Sequence, residues 1–176
     1  MPRRNIGVAI AVPEPYGAEL AGWRAQFGDP QAGLVPTHIT LLPPTAIASA
    51  RLPVIEEHLR AIASDEEPFD VVLRGSGTFR PVSPVTFVPL ASGISACERL
   101  EAKVRSGPLA RELKFNYHPH VTVAHDIDDV ALDKAFDELS FYEARFTARG
   151  FTLFEEGHDA AWRPIVQFVF GAPTSA

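Results

Sequence analysis

Apolar positions along the chain fall into short blocks whose spacing switches between the period of a helix and that of a strand. Ile6–Val12 reads as a short strand. Tyr16, Leu20, Trp23 and Phe27 recur at i, i+4, i+7 and i+11, with Pro15 where a first helical turn tolerates it and Gly28 as a stop, so a first helix is predicted there. A strand over His38–Leu42 follows, ended by Pro43-Pro44. A second helix opens near Pro53 and buries Ile55, Leu59 and Ile62. Phe69–Leu73 and Val85–Val88 then read as two strands, joined through Gly75, Gly77, Pro81 and Pro84 as in a hairpin with a longer loop.

The order then restarts. A helix over Ile94–Val104 leads to a strand at His120–Ala124 and to a helix carrying Leu132, Phe136 and Leu139. Strands at Phe146–Phe154 and Ile165–Phe170 close the chain around the turn Glu156-Gly157-His158-Asp159. Even the triplets Phe79-Arg80-Pro81 and Trp162-Arg163-Pro164 match, 83 residues apart. A unit repeated in this way predicts one α+β domain, a duplicated, pseudo-twofold, two-lobed fold whose antiparallel sheets form a central cleft with helices outside. The two intertwined repeats are expected at about 14–92 and 93–171, with a frayed tail over 171–176.

Within that repeat, His38-Ile39-Thr40-Leu41 and His120-Val121-Thr122-Val123 lie 120 − 38 = 82 residues apart. In an extended strand residues i and i+2 share a face, so each stretch puts one imidazole and one hydroxyl on one side and two apolar side chains on the other. The cleft between the lobes is where the two polar faces would meet. Imidazole titrates near neutrality, so one histidine can accept a proton while the other donates one, as in-line displacement at phosphorus requires. The threonine hydroxyls can donate hydrogen bonds to the phosphoryl oxygens, and no metal or cofactor is demanded.

At this point the residues resemble a family. The paired His-x-Thr-x stretches are similar to those of the two-histidine (2H) phosphoesterases, in particular the LigT-like RNA 2′,3′-cyclic phosphodiesterases, also called 2′-5′ RNA ligases. The resemblance implies that His38 and His120 are the acid–base pair and that Thr40 and Thr122 bind the phosphate. The implied reaction is metal-independent opening of 2′,3′-cyclic phosphates of nucleotides or RNA ends to 2′-phosphomonoesters, with reversible 2′-5′ RNA ligation as an associated activity. Many relatives carry arginine three residues after the second threonine, where this chain has His125, so a phosphate contact there is expected to be weaker or pH-dependent.

Further substrate contacts are expected from Tyr117 and Trp162 as base-stacking rings and from Arg80, with Arg163 beside it, as anion partners. Rival readings are a related cyclic phosphodiesterase acting on ADP-ribose 1″,2″-cyclic phosphate or 2′-5′ linkages, and a silent nucleotide- or RNA-end-binding module. A metallohydrolase using His118, His120, His125 and Asp126 is the third. His58 and His158 are expected to be solvated.

Composition narrows the partners. At 46% hydrophobic and 22% charged residues the chain is of ordinary globular composition, and no apolar run approaches the roughly 20 residues of a membrane span. Met1–Asn5 runs straight into the first strand with no long apolar segment and cleavage site after it, so a cytoplasmic location is expected, and a monomer with it. A formal charge of −6 disfavours a sequence-independent grip on a long phosphate backbone but leaves small nucleotides and RNA ends open. Cys97, the single cysteine, falls at helical spacing with Leu100 and Val104 and reads as a small buried hydrophobe.

Overall fold

Nine strands and four α-helices build the described part, residues 2–172, of the computed structural model. In chain order they are β1 (Arg3–Ala11), α1 (Tyr16–Gln26), β2 (His38–Ala48), α2 (Leu52–Ser64), β3 (Phe69–Arg74), β4 (Gly77–Thr78) and β5 (Val85–Ser92). There follow α3 (Ile94–Val104), β6 (His120–His125), α4 (Asp129–Glu138), β7 (Glu143–Ala148), β8 (Gly150–Glu156) and β9 (Trp162–Val169). Of the tail expected over Gly171–Ala176, residues 173–176 lie outside the described residues, while the Gly171 N–H donates to the Ala63 carbonyl at 2.9 Å.

The strands form two antiparallel sheets. One has the order β2-β1-β8-β9; the other has the order β4-β5-β3-β7, with β6 paired to β5. The order strand, helix, strand, helix occurs as β1-α1-β2-α2 and again as β5-α3-β6-α4. Each sheet is completed by strands from elsewhere in the chain, β8 and β9 in the first and β3 and β7 in the second. β2 is an edge strand of its sheet, and β2 and β6 pack against one another without being paired.

The alternation within these two strands fixes their faces. Ile39, Leu41, Val121 and Val123 are buried in the common core, while His38, Thr40, His120 and Thr122 are half-buried on the opposite side. A slip of one residue in either strand would expose two core side chains and sink an imidazole and a hydroxyl. Full burial of one aliphatic side chain of this size contributes roughly 1.5–3 kcal/mol, so the register is strongly held.

Three local expectations are corrected. Pro43-Pro44 does not end β2, which runs on to Ala48: Ile6 pairs with Thr45 and Val8 with Leu42, leaving the two prolines in a bulge opposite Gly7. An edge strand tolerates this because a missing N–H on its free side breaks no ladder bond. Phe146–Phe154 is not one strand, because the chain leaves the second sheet after Ala148 and enters the first at Gly150. Apolar residues continue through the crossing, so hydrophobicity gives no sign of it. On α1 the buried positions are Gly17, Leu20 and Arg24, so a charged residue stands on the face that packs inward.

Candidate active site

His38 and His120 line one cleft of about 400 Å³, together with Arg24, Gln31, Val35, Thr122, His125, Glu156 and Trp162. The two imidazoles are held in the same way. His38 Nδ1–H donates to the Pro36 carbonyl and His120 Nδ1–H to the His118 carbonyl, each at 2.6 Å and each two residues upstream. With Nδ1 committed as the donor, the neutral ring presents Nε2 as an acceptor. The repeat thus yields two rings of the same tautomer. At His38, Nε2 accepts a 3.0 Å hydrogen bond from the Thr40 hydroxyl.

Both rings are backed by aromatics from the matched triplets. Trp162 lies against His38 with ring centroids 4.5 Å apart, and Phe79 stands edge-on to His120 at 4.9 Å. Phe87 also flanks His120, at 5.2 Å, and its own ring lies over Gly77, where a Cβ would come within 2.7 Å of it. A side chain at position 77 would displace that support.

This apolar surround sets the electrostatics. Burial pushes His38 down to about 4, against the hydrogen bond to Pro36, and the charges of Arg24 and His120 press the same way. Burial likewise lowers His120 to about 4, opposed by the His118 carbonyl and assisted by the His118 ring. Desolvation disfavours the charged form, so burial favours the neutral form of both rings.

The other expected site residues divide. Thr122, His125 and Trp162 line the cleft; Thr40 reaches it through its bond to His38. Tyr117 does not face it: its hydroxyl donates to the Thr40 carbonyl at 2.7 Å, tying the segment before β6 to β2. Nor is Arg80 free to meet an anion, since its guanidinium pairs with Asp133 at 2.8 Å and Asp129 at 3.5 Å at the start of α4. Arg163 is held by Asp159 at 2.6 Å. His158 is exposed as expected, but His58 is half-buried and donates through Nε2 to the Val104 carbonyl at 3.1 Å. Cys97 is fully buried and burial raises its thiol to about 12. Among the described residues no three His, Cys, Asp or Glu side chains converge as metal ligands; the His118 ring instead lies edge-on to Phe79.

Arg24, Asp29 and Gln31 stand at the site with no sequence motif to mark them. Arg24 Nε donates to Asp29 Oδ2 at 2.7 Å, and the two side chains are 7% and 0% exposed. Asp29 also accepts from the backbone N–H of Gln31 at 2.8 Å and of His125 at 3.0 Å, so it joins the end of α1 to the end of β6. An arginine between Leu20 and Phe27 on an otherwise apolar stripe was the available signal.

Comparison with solved structures assigns the fold class first. The chain superposes on Escherichia coli LigT in its apo form with a TM-score of 0.71 at 17% identity, covering 98% of this chain and 100% of that one. TT0787 of Thermus thermophilus gives 0.64 at 19% identity, over 95% and 98%. The sequence narrows this further. Residues 12–160 match the model of the 2′-5′ RNA ligase superfamily, and the chain belongs to that family. A relative from Halalkalibacterium halodurans, named "Putative phosphoesterase BH1439", is 29% identical over 136 residues, 77% of this chain and 74% of its own length. No helix among the described residues is long and apolar enough to cross a membrane.

Proposed function

We propose that the protein is a phosphodiesterase that opens 2′,3′-cyclic phosphates of nucleotides or RNA ends to 2′-phosphomonoesters without a metal, using His38 and His120 as base and acid. The observation that carries this is the matched pair of Nδ1-tethered imidazoles, both lining one cleft. In the reaction one neutral Nε2 takes a proton from water, the water oxygen bonds to phosphorus, and the phosphorus–O3′ bond breaks. The other imidazolium gives its proton to O3′. A 5′-hydroxyl in place of water would form a 2′-5′ linkage by the same steps. Thr122, and Thr40 once its hydroxyl turns from His38, donate to the non-bridging oxygens. An adjoining apolar groove of about 750 Å³, which shares Val35 and Trp162 with the cleft, offers room for the nucleoside. Related folds support this choice of ligand, since E. coli LigT was crystallised with 3′-AMP.

The test is hydrolysis of 2′,3′-cyclic nucleotides in excess EDTA, with the product identified by 31P NMR. The 2′-monophosphate is expected. Loss of turnover in EDTA with recovery on adding zinc or manganese would favour a metallohydrolase instead, and tight binding without product over long incubation a silent binding module. The pH profile carries a sign. Both rings sit near 4 in the free protein, so kcat/KM is expected to be bell-shaped with its optimum on the acid side of 6.5. A bound phosphate favours the imidazolium, which moves the optimum of kcat upward from that of kcat/KM. Coincident optima at or above neutrality would contradict this. For Thr122→Val, loss of one preorganised donor is expected to lower kcat by up to about 10²- to 10³-fold with an unchanged melting temperature.

A further inference from the structure

Among the described residues lining the cleft, Arg24 is the one guanidinium, and the acid in that lining, Glu156, accepts a hydrogen bond from Trp162 Nε1 at 3.3 Å. Two of the three guanidinium nitrogens of Arg24 have partners. Nε is committed to Asp29 and Nη2 makes a long 3.4 Å contact to the Gln31 side chain. Asp29 is itself saturated by three N–H donors, from Arg24, Gln31 and His125, and is wholly buried. Asp29 therefore holds the guanidinium through Nε, while among the described residues Nη1 has no hydrogen-bond partner and Arg24 lines the cleft. Guanidinium geometry matches phosphate oxygens in pairs, and a fixed fork loses little freedom on binding.

From this placement we propose that Arg24 is a substrate-binding residue: held by the buried Asp29, it grips the phosphoryl oxygens of the ligand in the cleft. The inference rests on the phosphodiester reading above and extends it to the last turn of α1. It assigns Asp29 a positioning role, because that carboxylate orders Arg24 and anchors the end of β6 in one contact set. The groups around His38 are Arg24 from α1, His120 from β6, Trp162 from β9 and Thr40 on its own strand.

The experiment is calorimetric titration of inorganic phosphate and of adenosine 2′-monophosphate into the wild type, Asp29→Asn, and the double variant Arg24→Gln/Asp29→Asn. The double variant removes both buried charges together and so avoids stranding one of them. Asp29→Asn keeps Arg24 but loosens its hold, and is expected to bind phosphate more weakly than the wild type and more tightly than the double variant. The double variant is expected to bind it about 10- to 100-fold more weakly, as loss of charge-assisted hydrogen bonds implies. It should also raise the His38 pKa, read by NMR, relative to Asp29→Asn. A merely structural Arg24 predicts the same phosphate affinity in the two variants, and that result overturns the proposal, as does absence of phosphate binding by the wild type. If the wild type hydrolyses cyclic phosphate while the double variant keeps its KM and phosphate affinity, only the Arg24 assignment falls. If phosphate binds in an Arg24-dependent way but no cyclic phosphate is opened, the anion site stands and the reaction assigned to it falls.

Discussion

Alanine at position 38 or at position 120 is expected to slow hydrolysis of a 2′,3′-cyclic nucleotide by about 10²- to 10⁴-fold, the usual contribution of a positioned general acid or base. The double variant should be little slower than the worse single one, because two groups that act on one proton circuit do not add. Both rings lie at the surface of the cleft with their β-strand neighbours Ile39 and Val121 still in the core, so the melting temperature should hardly move. The measurement is the single-turnover rate constant, with formation of the nucleoside 2′-monophosphate as the readout. A loss in one variant alone would assign acid–base chemistry to that side of the pseudo-twofold and remove the partner from the mechanism.

Asp29→Ala is expected to have the largest effect on stability. It leaves the guanidinium of Arg24, 7% exposed, without its counter-ion and takes an acceptor from the backbone of Gln31 and His125. Breaking a buried pair in this way costs about 3–5 kcal/mol. For a chain of this size that corresponds to a fall in melting temperature of roughly 6–20 °C, readable by calorimetry or circular dichroism. A fall of only a degree or two would mean that water from the cleft already solvates Arg24, and that Asp29 does not hold it.

How much of this could be read beforehand follows from what each signal depends on. The His-x-Thr strands were legible because their apolar partners must be buried, which forces the polar pair to the other face whatever the tertiary fold. The aromatic of each Phe/Trp-Arg-Pro triplet meets a histidine, but the arginines turn to Asp129, Asp133 and Asp159, acids that no local pattern ties to them. Tyr117 sits next to the second motif in sequence, yet its hydroxyl is needed by the Thr40 carbonyl, so proximity along the chain misled. Arg24 went unread for a related reason: a charged residue on a helix is ordinarily solvated, and only its meeting with Asp29 and the end of β6 makes burial tolerable. The crossing at Arg149 was hidden because both sheets require the same apolar composition. The strand order, in which β8 and β9 return to β1, depends on long-range pairing that periodicity does not encode.

In the proposed reaction two imidazoles act on one phosphorus atom. Its most direct test follows the ring nitrogens of His38 and His120 by 15N NMR while a nucleoside 2′-monophosphate is added. Both Nε2 signals are expected to shift together and to saturate at one equivalent of ligand, with one ring gaining a proton at a pH where both were neutral. Saturation with only one of the two rings responding, or with neither, would mean that the two histidines do not share one phosphorus atom.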